Sequence, residues 1–208
     1  MTVRERRAMA NPIEFYFDFS SPYSYLASEI IEPLATRYAR EVDYKPMLLG
    51  AAFKVAGTRP LTEVPLKGEY SKRDMERSAR LAGIAFALPE PFPIGAVAAS
   101  RAYVWLSDTD PLRARAFLHA TFREYFVAGR NIAESSVVTG VLRQVGADPE
   151  PVLAAIQQAE IKERLKALVD AALARGVFGA PFLFVDGEPF WGHDRLAQVE
   201  RWLATGPF

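Results

Sequence analysis

The 208-residue chain contains no cysteine. That absence excludes disulfides, protein-thiol catalysis and Cys-ligated zinc, and it removes any argument for an oxidising compartment. Histidine is scarce as well: only His119 and His193 occur, without paired ligand spacing, so no metal site is expected. An excess of charge of either sign is missing. The 25 basic and 25 acidic residues give a formal net charge of zero, so nothing draws the chain to nucleic acid or to an anionic membrane. Long apolar runs are missing too, which leaves no membrane-spanning segment. The start lacks the apolar core of a signal peptide, and a cytoplasmic location is expected. Arg4, Arg6 and Arg7 surround Glu5 and read as a frayed, solvated tail rather than a targeting arm. Neither a repeat nor a low-complexity stretch interrupts the sequence.

What is present can build a large core. Half of the residues are apolar, enough for one large domain or two small interlocked ones. Ile13 to Phe19 is aromatic-rich and reads as a strand. From Ser24 to Arg40, Tyr25, Leu26, Ile30, Leu34 and Tyr38 recur at helical spacing, with a kink expected at Pro33. Val42 to Leu49 reads as a second strand, so the first fifty residues form a β-α-β unit with a parallel crossover. A loop with Gly57 and Pro60 leads into a charged amphipathic helix that ends at Gly83. Pro89, Pro91 and Pro93 then shape a non-helical loop. Positions 96 to 174 carry helical periodicity in about four segments, broken near Asp108–Pro111, Gly129–Asn131 and Gly146–Pro149. Strands return at Phe182–Val185 and through Phe190 and Trp191, joined by an Asp186-Gly187 turn into a hairpin. A last helix runs from His193 or Asp194 to Leu203.

This order predicts an α/β fold: a thioredoxin-like βαβ…αββα sheet with a helical domain inserted after its second strand. The thioredoxin-like part spans 11–55 and 175–208, and the inserted helical part spans 56–174.

The chemistry centres on the turn after the first strand. Thiol–disulfide enzymes of the thioredoxin type place a Cys-x-x-Cys pair there, and this chain has Ser21-Pro22-Tyr23-Ser24 at the same spacing. Serine is a favoured N-cap and proline a favoured first helical residue, so a helix start explains the pair without any function. The same place also stabilises an anion, because a helix N-terminus presents unpaired N–H groups and partial positive charge. A serine hydroxyl there can donate to a thiolate that a thiol cofactor brings. Pro181 precedes a strand, which is ordinary for proline. Asp194 stands at the next helix start, as an N-cap or as a carboxylate for a ligand ammonium. His119 reads as structural, and Asp18 as a buried carboxylate bonded to nearby backbone. Tyr23, Phe53, Phe92, Tyr103 and Trp105 are candidates for an aromatic pocket, each also a candidate for the core. Arg101 is either solvated or a partner for a substrate carboxylate.

The stretch from Phe17 to Leu26 resembles the F-D-F-x-S-P-[YF]-S-[YW]-L pattern of the 2-hydroxychromene-2-carboxylate isomerases, relatives of kappa-class glutathione transferases. Gly176–Pro181, Phe190–Arg195 and Lys67-Gly68-Glu69-Tyr70 match further elements of that family, in the same order along nearly the whole chain. The resemblance implies a glutathione-dependent enzyme, homodimeric, acting on a small aromatic enone acid. It gives Ser21 the place of the serine that faces the glutathione sulfur. A cis-proline is implied at Pro181, with the backbone of Ala180 meeting the cysteinyl unit. Asp194, helped by His193, inherits the γ-glutamyl contact. Lys67 inherits a salt bridge to a glutathione carboxylate. Thr58 stands where many relatives carry Asn, and His193 where they carry Ser, Asn or Gln. The implied reaction is cis–trans isomerisation of 2-hydroxychromene-2-carboxylate-like compounds by reversible thiolate addition. Two other functions are kept open: a kappa-like transferase or peroxidase, and a non-catalytic thioredoxin-like binding module.

Overall fold

A computed structural model describes residues 11–208. The tail with Arg4, Arg6 and Arg7 lies outside the described residues. Four strands form one sheet in the order β2-β1-β3-β4. Strand β1 (Ile13–Phe17) runs parallel to β2 (Val42–Pro46), with Phe15 opposite Tyr44. Strand β3 (Phe182–Val185) pairs antiparallel with β1, and β4 (Glu188–Trp191) pairs antiparallel with β3. Helix α1 (Pro22–Arg37) makes the crossover between β1 and β2. The expected α/β sheet with its helical insertion is therefore present.

The alternation along the strands explains the layers. Ile13, Phe15 and Phe17 of β1 and Leu183 and Val185 of β3 enter the main core, while Tyr16, Phe182 and Phe184 enter a second cluster on the opposite face. Side chains alternate across a sheet, so one strand serves both layers. The main core also takes in α1, α4 (Val97–Thr109), α5 (Pro111–Phe126) and α9 (Leu196–Thr205). The second face is covered by Ala52 of α2 (Leu49–Ala56) and by Ala172 and Leu173 of α8 (Ala159–Ala174). Strand β4 lies at the sheet edge, where Pro189 needs no ladder N–H.

Several boundaries differ from the sequence reading. Strand β1 stops at Phe17 because the chain turns at Asp18, and β2 stops at Pro46. The residues after it form helix α2, where the sequence suggested a strand and then a loop. Short apolar runs such as Met47-Leu48-Leu49 do not distinguish strand from helix. Helix α1 runs through Pro33 and ends at Arg37, short of the Arg40 that the periodicity suggests. Five helices, not four, fill 96–174 among the described residues: α4, α5, α6 (Ser135–Gln144), α7 (Pro149–Ala155) and α8. The missed boundary falls at Ile156–Gln158, where neither glycine nor proline marks it. Helix α3 (Lys67–Ala82) ends at Gly83 with a left-handed cap, as the sequence suggests. Its start packs so closely on the 3-10 turn Leu61–Glu63 that a Cβ at Gly68 would sit 2.5 Å from the Thr62 carbonyl oxygen.

Candidate functional site

The turn between β1 and α1 is held by one carboxylate. Asp18 is 4% exposed. Its Oδ1 accepts from the Ser20 N–H and the Ser20 hydroxyl, each at 2.7 Å, and its Oδ2 accepts from the Leu49 N–H at 2.6 Å. Burial raises the Asp18 pKa above the ordinary carboxylate value, and these three donors oppose the shift. Helix α2 has no side-chain cap from its own preceding residue, Leu48. Asp18 supplies that bond from another part of the chain and ties the serine turn to α2. Phe19, next along, packs on Phe17, Phe117 and Phe122, which anchors the turn in the core.

Ser21 follows. Its Oγ accepts from the Ser24 N–H at 3.1 Å, so the cap reading is correct. The hydroxyl also donates to the Ala180 carbonyl at 2.9 Å, across 159 residues of sequence. The Ala180–Pro181 peptide is cis, as the resemblance implied. Gly179 just before it leaves room for the indole: a Cβ there would meet Trp191 Nε1 at 2.5 Å and displace the ring. The Trp191 indole in turn packs edge-on to Phe178, with ring centroids 4.8 Å apart.

A cavity of about 970 Å³ opens onto this turn. Ser21, Thr58, Ala180, His193 and Asp194 all line it. Lys67 does not; it sits exposed at the start of α3, outside the lining. Of the five aromatic candidates, Tyr23, Phe53 and Phe92 line the cavity. Tyr103 and Trp105 do not. Tyr103 is core and donates to the Tyr44 carbonyl, while Trp105 packs against the same core. Each of the five read equally as core or as pocket lining, because an aromatic side chain in a sequence does not show which way it points. Arg101 also lies outside the lining, its guanidinium 3.5 Å from the Ile156 carbonyl.

Asp194 caps nothing. The 3-10 turn His193–Arg195 and helix α9 both begin without a side-chain cap. Its carboxylate accepts from Arg195 at 3.0 Å and remains 58% exposed. It folds back over Gly192, where a Cβ would clash with Asp194 Oδ1 and where φ is +109°. The His193 ring stacks on Tyr23, with centroids 4.7 Å apart and planes 14° from parallel. Burial lowers the His193 pKa, and Asp194 and Asp74 oppose that shift. The sequence reading missed Asp74, Arg59 and Trp191, which also line the cavity. Asp74 had a signal, because it lies on the amphipathic helix that begins with the Lys67-Gly68 element.

His119 is structural, as expected. It lies between Glu29 and Glu32 of α1, with Nε2 3.3 Å from Glu32 and Nδ1 3.5 Å from Glu29. Burial disfavours its charge, but the two carboxylates outweigh burial and raise its pKa to about 9.

The family of DsbA-like thioredoxin domains matches residues 12–204. A 2-hydroxychromene-2-carboxylate isomerase of Sphingobium xenophagum is 30% identical over 197 residues, covering 94% of this chain and 99% of that protein. The chain belongs to the DsbA-like thioredoxin family. Within that family its relatives include glutathione S-transferase kappa 2 of Caenorhabditis elegans, 28% identical across 94% of this chain and 92% of that protein. A solved 2-hydroxychromene-2-carboxylate isomerase superposes with a TM-score of 0.84 at 27% identity, covering 92% of this chain and 94% of the other. A DsbA-like domain without cysteine cannot cycle through a protein disulfide. The cavity beside Ser21 must therefore work with a sulfur from elsewhere, or with none.

Proposed function

We propose that the protein is a glutathione-dependent isomerase of small aromatic enone acids of the 2-hydroxychromene-2-carboxylate type. One observation carries the reading: a hydroxyl at the N-terminus of α1 shares a large cavity with the backbone beside a cis-proline. Glutathione fits the donor set. Asp194, half exposed and paired with its neighbour Arg195, offers a carboxylate for its ammonium, and the edge at Ala180 offers strand-like pairing to its peptide. Thr58 and His193 add polar contacts on the walls. Lys67, outside the lining, takes a glutathione carboxylate only by the family resemblance. When bound, glutathione supplies a nucleophilic sulfur that adds reversibly to a conjugated carbon and frees the former double bond to rotate.

The chain's own residues prepare the place for that sulfur. Ser21 holds its proton on a neutral carbonyl, a bond worth about 1 kcal/mol, whereas a hydrogen bond to a charged group is worth about 1.5–3 kcal/mol. The hydroxyl therefore turns toward an anion when one arrives. The end of α1 adds its partial positive charge at the same point. Lowering a thiol pKa by one unit needs only about 1.4 kcal/mol, within reach of the two effects together. Tyr23, Phe53 and Phe92 present apolar faces to an aromatic ring and keep water from it. The family's kappa-class branch makes transferase activity the second reading. A homodimer and a cytoplasmic setting accompany the primary one.

The test is turnover of 2-hydroxychromene-2-carboxylate with and without glutathione, beside conjugation of an electrophilic aromatic halide. Isomerisation that requires glutathione supports the proposal. An isomerisation rate indifferent to glutathione removes it, and conjugation alone transfers the assignment to the transferase reading.

A further inference from the structure

One wall of the cavity is helix α3, and it is fastened to the serine turn by a chain of polar contacts. The Tyr23 hydroxyl, two residues from Ser21, donates to Asp74 Oδ2 at 2.8 Å. Asp74 Oδ1 accepts from Arg77 at 2.7 Å, and Arg77 also donates to the Tyr70 hydroxyl at 3.0 Å. Burial tends to raise the Asp74 pKa, but the bonds from Arg77 and Tyr23 outweigh it and hold the carboxyl below its ordinary value. Tyr23 thus donates to an ionised acceptor, which makes the bond stronger than a neutral one. On its other side the Tyr23 ring carries the stacked His193 ring, and His193 precedes Asp194. A continuous path runs from α3 through Tyr23 and His193 to the carboxylate assigned to the γ-glutamyl ammonium.

We propose that Tyr23 is a positioning residue of that subsite: Asp74 fixes its ring, and the ring fixes the His193–Asp194 turn. Three features make the support necessary. The turn is a single 3-10 turn without a side-chain cap. It follows Gly192, whose φ of +109° suits glycine. Asp194 is half exposed, and it pairs with its own neighbour, Arg195. Without a packed ring against His193, the turn is free to rotate its carboxylate away from the cavity. The inference rests on glutathione being the ligand. It concerns how the subsite is kept in shape, through residues that need not touch the ligand.

The experiment compares two ligands on three proteins by calorimetry: the natural protein, Tyr23→Phe and Asp74→Ala. The ligands are glutathione and desamino-glutathione, which lacks the γ-glutamyl ammonium. Tyr23→Phe keeps the ring and every charge, and removes only the hydroxyl. The expected result is a loss of glutathione affinity on the order of tenfold in both variants, the loss of one charge-assisted hydrogen bond. Affinity for desamino-glutathione should change by less than about twofold, because the Asp194 contact is absent from the start. Melting curves identify a variant that fails to fold, and Tyr23→Phe serves as the milder change. Equal losses for both ligands overturn the proposal, since a general structural defect does not distinguish them. A selective loss in Asp74→Ala with Tyr23→Phe unchanged also overturns it, because Asp74 would then meet the ammonium directly. Failure of glutathione to bind the natural protein removes the functional reading itself, and the inference with it.

Discussion

Helices α1 and α5 begin in the same way. Each has a polar capping residue followed by proline, and each cap accepts from the N–H three residues on: Ser21 from Ser24 and Asp110 from Arg113, both at 3.1 Å. Asp148 and Pro149 repeat the pattern at α7, where the cap accepts from Glu150. The surroundings differ. Asp110 is partly exposed and pairs with Arg113 of its own first turn at 2.7 Å. Ser21 is 3% exposed, bonded to Ala180 from the far end of the chain, and open to a large cavity. A cap is thus a local solution to unpaired N–H groups. It becomes a candidate catalytic group only where the fold places a cavity and a second backbone segment beside it.

The sharpest way to break this comparison is Ser21→Ala. If the serine meets a thiolate, isomerase turnover should fall about 100-fold or more, the scale of losing one oriented donor to a developing anion. Stability should fall by only about 0.5–2 kcal/mol, the value of a cap. Ser21→Asp should preserve the cap yet raise the bound thiol's pKa, visible in thiolate absorbance against pH. Full turnover in the Ala variant would make the two caps equivalent and the catalytic role void.

A cap supplied from a distance should matter most for stability. Asp18→Asn replaces one acceptor oxygen with an NH₂ that faces donors from Ser20 or Leu49. A loss of about 3 kcal/mol is expected from a buried network broken in this way. Urea denaturation measures it, and a loss below about 1 kcal/mol would show that the turn repacks without the carboxylate.

The ion cluster between α1 and α5 provides a control, since none of its three residues lines the cavity. His119 is bound between Glu29 and Glu32, and its folded pKa of about 9 lies above its unfolded value of 6.5. Its stabilising contribution is therefore complete below about pH 6.5 and disappears as pH rises through 9. His119→Gln should cost about 2 kcal/mol at pH 6 and nearly nothing at pH 10, a difference read from melting curves at the two values. Turnover per folded molecule should not change.

The smallest expected effect belongs to the other cap. Asp110→Ala should cost about 1 kcal/mol and leave turnover and glutathione binding untouched. A turnover defect there would mean that stability alone controls activity, and the contrast between the two helix starts would vanish.

Much of the site was legible because its pieces are local. The run from Phe17 to Leu26 announces strand, turn and helix start, and Gly179-Ala180-Pro181 announces a constrained strand entry. The helix α2 was not legible, since an apolar run too short to show a period fits either element. Nor was the separation of Tyr23, Phe53 and Phe92 from Tyr103 and Trp105. Each is an aromatic that suits core or pocket alike, and only the packing of α4 in the main core sends the last two inward. Asp74 reads as an ordinary charge on an amphipathic helix until Tyr23 is found bonded to it.

By itself, the sequence determined the chemistry that is unavailable and the local conformations that are favoured. No cysteine means no protein thiol, Ser21-Pro22 starts a helix, and alternating aromatics make β1 a two-sided strand. These follow from side-chain chemistry and from interactions within a few residues. The tertiary structure alone decided that the Ser21 hydroxyl meets the Ala180 carbonyl, that Asp18 caps α2, and that Lys67 stays off the cavity wall. Each depends on where a distant segment comes to rest. That placement is set by the simultaneous packing of both sheet faces, and no short window of sequence contains it.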